Sequence, residues 1–226
     1  MSSKRYKGLP EKTKELKSET IDILLPKIKK NCTTKFDESV DIHFQINLKQ
    51  KKGDINLRTV TNLPSGTGKK IKVAVICEDD KKDEAEKAGA DLIGSENLIN
   101  NISSGKIDFE KLVSTPSMMI KLAKVGKILG PKGLMPNPKL GTVTKNVGDA
   151  VKALKSGQIE IKNDKDGNLG ASIGKKSFPD AKIKENYNVI KDTVLKEKPN
   201  GIKGDFILSS FITSTMGISY KLKIRA

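Results

Sequence analysis

A few short stretches of this chain carry residue types that could bind or transform a ligand. Gly66-Thr67-Gly68-Lys69-Lys70 has the tail of a phosphate-binding loop, in which glycine N–H groups cradle phosphates and a lysine reaches toward them. A complete loop also needs a glycine five residues before Gly68 and a hydroxyl residue after Lys69. Leu63 and Lys70 occupy those positions. The stretch therefore does not predict nucleotide binding, and its glycines read better as a hinge that tolerates large dihedral changes. Asp164-Lys165-Asp166-Gly167 faintly resembles a calcium loop, but Lys162 and Ile173 stand where its first and last ligands belong. An Asp-Gly turn is the better reading. His43 could act as a base, yet no Ser or Cys nucleophile accompanies it in the sequence. Cys32 and Cys77 are far apart, and His43 is the lone histidine. That composition predicts neither a disulfide framework nor a metal site, and it fits a reducing cytosolic compartment. No cofactor and no local catalytic constellation are expected.

Charge is more informative. The 226 residues hold 43 Lys+Arg against 27 Asp+Glu, a net charge of +16, which predicts a polyanionic partner such as nucleic acid or an anionic membrane surface. Only Arg5, Arg58 and Arg225 are arginines. Lysines suit phosphates as point charges and lack the planar fork that reads guanine edges, so backbone and shape recognition are favoured. The excess concentrates in 114–157, where 8 lysines face the single acid Asp149, whereas 66–113 has 8 lysines against 10 acids. Within the basic segment, Leu129-Gly130-Pro131-Lys132-Gly133-Leu134-Met135-Pro136-Asn137-Pro138-Lys139 predicts a rigid irregular loop. It could be a plain connection, or Lys132 and Lys139 could meet a phosphate backbone. No apolar run reaches the roughly 18 residues of a membrane span, and Met1-Ser2-Ser3-Lys4-Arg5 opens no secretory signal.

Two textures position these residues. Val40, Ile42, Phe44, Ile46 and Leu48 alternate with polar residues, predicting a half-buried strand. Thr20 can cap a helix with Ile21, Leu24, Leu25 and Ile28 on one face, which Pro26 should kink or shorten. Phe206–Leu208 with Phe211-Ile212, and the alternation Ile218, Tyr220, Leu222, Ile224, predict two strands joined by the turn Thr215-Met216-Gly217. Gln158–Lys162 and Asn168–Ile173 flank the Asp-Gly turn as a hairpin. The middle differs. Ile71–Cys77 is a nearly unbroken apolar run, as in a strand covered on both faces, followed by a helical stretch over 81–88, a strand at 91–94, and helices over 96–102 and 116–128. Strand–helix alternation implies a parallel-sheet α/β unit. The expected architecture is therefore α/β with two domains. Residues 1–65 plus 158–226 form an outer two-layer α+β domain with an antiparallel sheet. Residues 66–157 form an inserted, Rossmann-like three-layer α/β domain with a mainly parallel sheet. Gly66, Gly68 and Gly157 mark the hinge.

Leu63-Pro64 with Gly68-Lys69, the loop Ile128 to Pro138, and Thr215-Met216-Gly217 together resemble the ribosomal protein L1 family, in its bacterial or organellar form. Lys35-Phe36-Asp37-Glu38, Ala88-Gly89-Ala90-Asp91 and Gly174-Lys175 with Ser177-Phe178-Pro179 extend the resemblance over nearly the whole chain. The resemblance implies a non-enzymatic constituent of the cytoplasmic ribosome. Such a protein binds rRNA at the base of the mobile stalk of the large subunit and assists release of deacylated tRNA from the exit site. It also implies repression of translation through the protein's own operon mRNA. A monomer outside the ribosome and no membrane partner are expected. Carried over, the RNA-binding residues are Phe36, Thr215, Met216 and Gly217, with Lys35, Ser39, Asp41 and His43 beside them and Lys175 and Ser177 as weaker members. Ser39 and Asp41 replace the usual Thr and Glu of the family, and Pro26 enters a helix normally free of proline. The residue types fit structured RNA, which is read by shape, 2′-hydroxyls and phosphates. Thr215 supplies a hydroxyl, Gly217 permits close backbone approach, and Phe36 and Met216 offer apolar contact. Phe36 also shares strand parity with Val40 and Phe44, which would make it a core residue. Two other readings stay open: a nucleotide-binding α/β enzyme, and a general polyanion or membrane-surface binder.

Overall fold

Strand β1, Ser39–Ile46, is the centre of the outer unit, with Val40, Ile42, Phe44 and Ile46 buried and the residues between them half-buried or exposed. A computed structural model describes residues 5, 8, 18–47, 57–199 and 204–224; Leu48 and Arg225 lie outside them. The chain divides into two compact units, Met1–Gly68 with Ile159–Ala226, and Lys69–Gln158.

In the first unit β1 pairs antiparallel with β7 (Asn168–Lys175) on one side and β8 (Ile207–Ser214) on the other. β8 then pairs with β9 (Tyr220–Leu222), giving the order β7-β1-β8-β9. Helix α1 (Ile21–Asn31) brings Leu24, Leu25 and Ile28 to the apolar face of the sheet. Helix α7 (Asp180–Lys196) brings Ile183, Tyr187, Ile190 and Val194 to the same face. Each such side chain contributes about 1.5–3 kcal/mol on burial. The opposite face carries Asp41, His43 and Gln45 of β1 beside Thr213, Phe211 and Ser209 of β8.

Helix α1 is not shortened by Pro26. The proline is exposed, so the Asp22 carbonyl it leaves without a donor also lies on the wet side, and burial of Leu24, Leu25 and Ile28 offsets the loss. Thr20 occupies the cap position without a side-chain bond; its carbonyl accepts from the N–H groups of Ile23 and Leu24, both at 3.2 Å. The Asp164–Gly167 turn does not close a hairpin. β6 (Gln158–Lys162) pairs with β2 (Arg58–Asn62) in a two-stranded sheet, while β7 joins β1; the two arms meet at the bridge Asn163–Leu169 and at the Asp164 N–H to Asn168 carbonyl bond beside it.

The second unit holds the parallel sheet β4-β3-β5: Leu92–Gly94, Val73–Ile76 and Lys111–Ser114. Strand β3 is buried on both faces. Ala74 and Ile76 pack with Ile99 and Ile102 of α3 (Glu96–Ser103), and with Met118 and Leu122 of α4 (Pro116–Leu122). Val73 and Val75 pack with Ala85 of α2 (Lys82–Lys87), and with Val147, Val151 and Leu154 of α6 (Val147–Ser156). The unit is thus three-layered. The single helix expected over 116–128 is divided: a 3-10 turn at Ala123–Val125 separates α4 from α5 (Gly126–Leu129), where Gly126 weakens helix continuity.

Candidate nucleic-acid interface

Two loops of the outer unit are tied together at the end of the sheet where β1 begins and β8 ends. One, 32–38, leads into β1; the other, 215–217, leaves β8. Glu38 is completely buried between them. Its Oε1 accepts from the Thr34 hydroxyl at 2.8 Å and the Thr34 N–H at 3.4 Å, and its Oε2 accepts from the Met216 N–H at 3.1 Å. Burial works against the charge, but the bonds from Thr34, Ser214 and Met216 outweigh it and hold the carboxyl below its ordinary range. A second tie is reciprocal: Ser39 N–H donates to Thr215 Oγ1 at 3.0 Å, and the Thr215 N–H and hydroxyl donate back to the Ser39 carbonyl at 3.0 and 3.3 Å. A third fixes the other flank, where Ser177 donates its N–H and hydroxyl to Asp37 at 3.1 and 2.7 Å, and Lys175 Nζ reaches the Asp37 carbonyl at 3.4 Å.

These ties present apolar side chains to solvent. Phe36 is 53% exposed and Met216 48%. Phe36 is thus a surface residue, because the bend at 34–36 precedes the strand and breaks the parity that would have buried it. Lys35 and His43 are exposed, and Asp41 is half-buried on the outer face of β1. His43 lies opposite Gly170 and Phe211; a Cβ on Gly170 would come 3.2 Å from its Nδ1.

Three residues have internal duties beyond those expected of them. The Thr215 proton and one of its lone pairs are engaged by Ser39. The Ser177 proton is engaged by Asp37. Gly217 packs against buried Ser214, so a Cβ there would sit 2.2 Å from Ser214 Oγ. Glu38 and Asp37, not singled out as site residues from the sequence, hold the loops. Glu38 did carry a signal, since it shares parity with Val40 and Ile42 and so points a carboxylate into the apolar face.

The remaining candidates lie elsewhere. Lys132 and Lys139 are exposed in the second unit, where Asn137 Oδ1 accepts from the Lys139 N–H at 2.9 Å and Thr142 Oγ1 from the Asn137 N–H at 2.8 Å. Gly66, Gly68 and Gly157 have φ of 66°, 73° and 111°, the left-handed region that favours glycine. Buried Asn186 holds the first crossing by accepting from the Ser65 N–H at 3.2 Å and donating to the Gly66 carbonyl at 2.9 Å. Residues 66–70 do not form a phosphate cradle. They run directly into β3 with no helix following, the Cβ position of Gly68 is crowded by Lys175 and Phe178, and Lys69 pairs with Glu110 at 2.7 Å. Both cysteines are buried and free, and burial pushes their thiols up. Among the described residues there is no group of three potential metal ligands and no helix long and apolar enough to cross a membrane.

Residues 28–218 match the Ribosomal protein L1p/L10e family. The chain is 61% identical over 225 residues to the large ribosomal subunit protein uL1 of Pelagibacter ubique (strain HTCC1062), covering 99% of this chain and 98% of that protein. It is 45% identical over 222 residues to the protein of that name from Prochlorococcus marinus (strain NATL1A), covering 98% and 94%. The corresponding Rickettsia africae (strain ESF-5) protein is 42% identical over 221 residues, covering 96% and 92%. With agreement of this extent, the chain belongs to the Ribosomal protein L1p/L10e family, whose members are structural proteins and not enzymes.

Proposed function

We propose that this chain is a constituent of the large subunit of the cytoplasmic ribosome and binds rRNA at the base of the mobile stalk through the two tied loops of its outer unit. The observation that carries this reading is the buried Glu38 carboxylate. It fixes the Phe36 and Met216 loops relative to one another, so that two apolar side chains and adjacent main-chain groups meet a folded RNA as a preformed surface. Preorganisation of that kind suits recognition by shape and 2′-hydroxyls, and no bond is made or broken. The same surface serves for repression if the protein's own operon mRNA folds into the same shape. The exposed lysines of the 114–157 stretch, including Lys132 and Lys139, are assigned to tRNA at the exit site. Gly157 and the residues around Gly66 and Gly68 are assigned as pivots.

The test is footprinting combined with competition. The expected result is protection of one three-way junction in large-subunit rRNA, with unstructured RNA of equal length competing poorly. Equal affinity for both RNAs would favour a general polyanion binder, and saturable ATP or GTP binding would favour the nucleotide enzyme. Replacing Lys132 and Lys139 by Ala should leave junction binding intact and reduce exit-site tRNA retention in assembled ribosomes.

A further inference from the structure

Arg5 lies 211 positions from Met216 in sequence, yet its Nη2 donates to the Met216 carbonyl at 2.5 Å, and its Nη1 donates to Thr33 Oγ1 at 2.9 Å. It therefore bridges the same two loops that Glu38 ties from beneath. Met216 is gripped at both polar groups, its N–H by a buried carboxylate and its C=O by a guanidinium. A guanidinium has five N–H donors in a rigid plane, and two are used here on uncharged acceptors. Among the described residues no carboxylate pairs with Arg5, in contrast to Arg58, which pairs with Glu160 at 2.7 Å. Among the described residues, half-buried Arg5 thus has three further donors beyond these two bonds, at the rim of the exposed Met216 side chain. A lysine would offer a point charge; a planar fork held by two anchors matches the paired oxygens of a phosphodiester.

We infer that Arg5 is a phosphate-binding residue of this interface, engaging the RNA backbone next to the bases or riboses met by Phe36 and Met216; this rests on the RNA-binding reading above. The position distinguishes it from the lysine excess. Most of those ammoniums are diffuse surface charge, whereas this cation is built into the turn.

The experiment uses the full chain. Kd for a stalk-junction transcript is measured over a salt series with wild-type protein, Arg5→Ala and Arg5→Lys, with polyuridine of equal length as the nonspecific probe. Thermal unfolding confirms that each variant is folded. Arg5→Ala should weaken junction binding about tenfold or more and reduce the slope of log K against log salt by roughly 0.7–0.9, the share of one phosphate. Arg5→Lys should keep most of the slope while losing part of the affinity. An unchanged slope in folded Arg5→Ala, with or without weaker binding, would make Arg5 a brace for the turn and overturn the inference. Wild-type protein that fails to prefer the junction over polyuridine would instead overturn the stalk reading itself.

Discussion

Gly217 and Ser214 are packed so closely that a Cβ on Gly217 would lie 2.2 Å from Ser214 Oγ and 3.4 Å from Ser214 Cβ. The missing side chain is therefore required inside the turn, before any RNA arrives. Ser214 is itself buried and bonds to Glu38, so it cannot step aside without disturbing the tie beneath Met216.

That contact separates folding from recognition at this position. Gly217→Ala should destabilise the chain by about 1–3 kcal/mol through overpacking. In a Ser214→Ala background, where the nearest atom is at ordinary contact distance, the added cost of Gly217→Ala should shrink toward zero. Urea unfolding of the four proteins measures the coupling. Any junction-RNA affinity still lost in the double variant belongs to close backbone approach; full recovery would remove Gly217 from the contact surface.

Glu38→Gln preserves shape and removes charge. The amide keeps one acceptor oxygen and sets an NH2 donor where the other oxygen accepts from Thr34 or Met216, so a loss of about 1–3 kcal/mol is expected. The pH dependence has a definite sign. The folded carboxyl is depressed below its ordinary value of 4.5, so its contribution is fully present above that value and is lost as pH falls toward the folded value. Between pH 7 and pH 3 the wild-type urea midpoint should therefore fall more steeply than that of Glu38→Gln. Parallel curves would contradict the ionised, bonded state of Glu38.

Phe36 touches water rather than core. Phe36→Ala should change stability by no more than about 0.5 kcal/mol while weakening junction RNA binding at least tenfold, or ~1.4 kcal/mol. Melting curves and titrations on the same preparation decide it. A large loss of Tm would show that the ring packs internally.

The outer unit has its own core, built from α1, α7 and the four-stranded sheet. Replacing residues 69–158 by a short linker should leave junction affinity within about tenfold of the full chain, provided circular dichroism shows a folded product. A drop of several orders of magnitude in folded material would assign the main contact to the other unit.

How much of this was legible depends on where the signal lay. Strand β1 declared itself through a period of two, and β3 through an unbroken apolar run, because in both cases burial acts on consecutive positions of one element. β5 is only four residues long with two apolar members, too short for any period. The failed hairpin at Asp164–Gly167 shows the limit of turn chemistry. Asp164 does organise the turn, accepting from the Asn168 and Asp166 N–H groups at 2.7 and 3.0 Å, but pairing is decided by which sheets need β6 and β7. At the interface, the family pattern pointed to two loops that the structure ties together. Which side chains face outward and which hold the loops was hidden, since the ties of Glu38 to Met216 and of Arg5 to Met216 span most of the chain.

One detail at the edge of the outer unit bears on how this protein could be rebuilt. A side chain at Gly68 would collide with Lys175 Cγ and Phe178 Cε1, each 2.9 Å away, and just before it Asn186 bonds to the Ser65 N–H and the Gly66 carbonyl. For anyone grafting a foreign module into this scaffold, the usable splice begins after Gly68. Cutting at the prolyl bend a few residues earlier would strip a plug from the wall that backs Lys175.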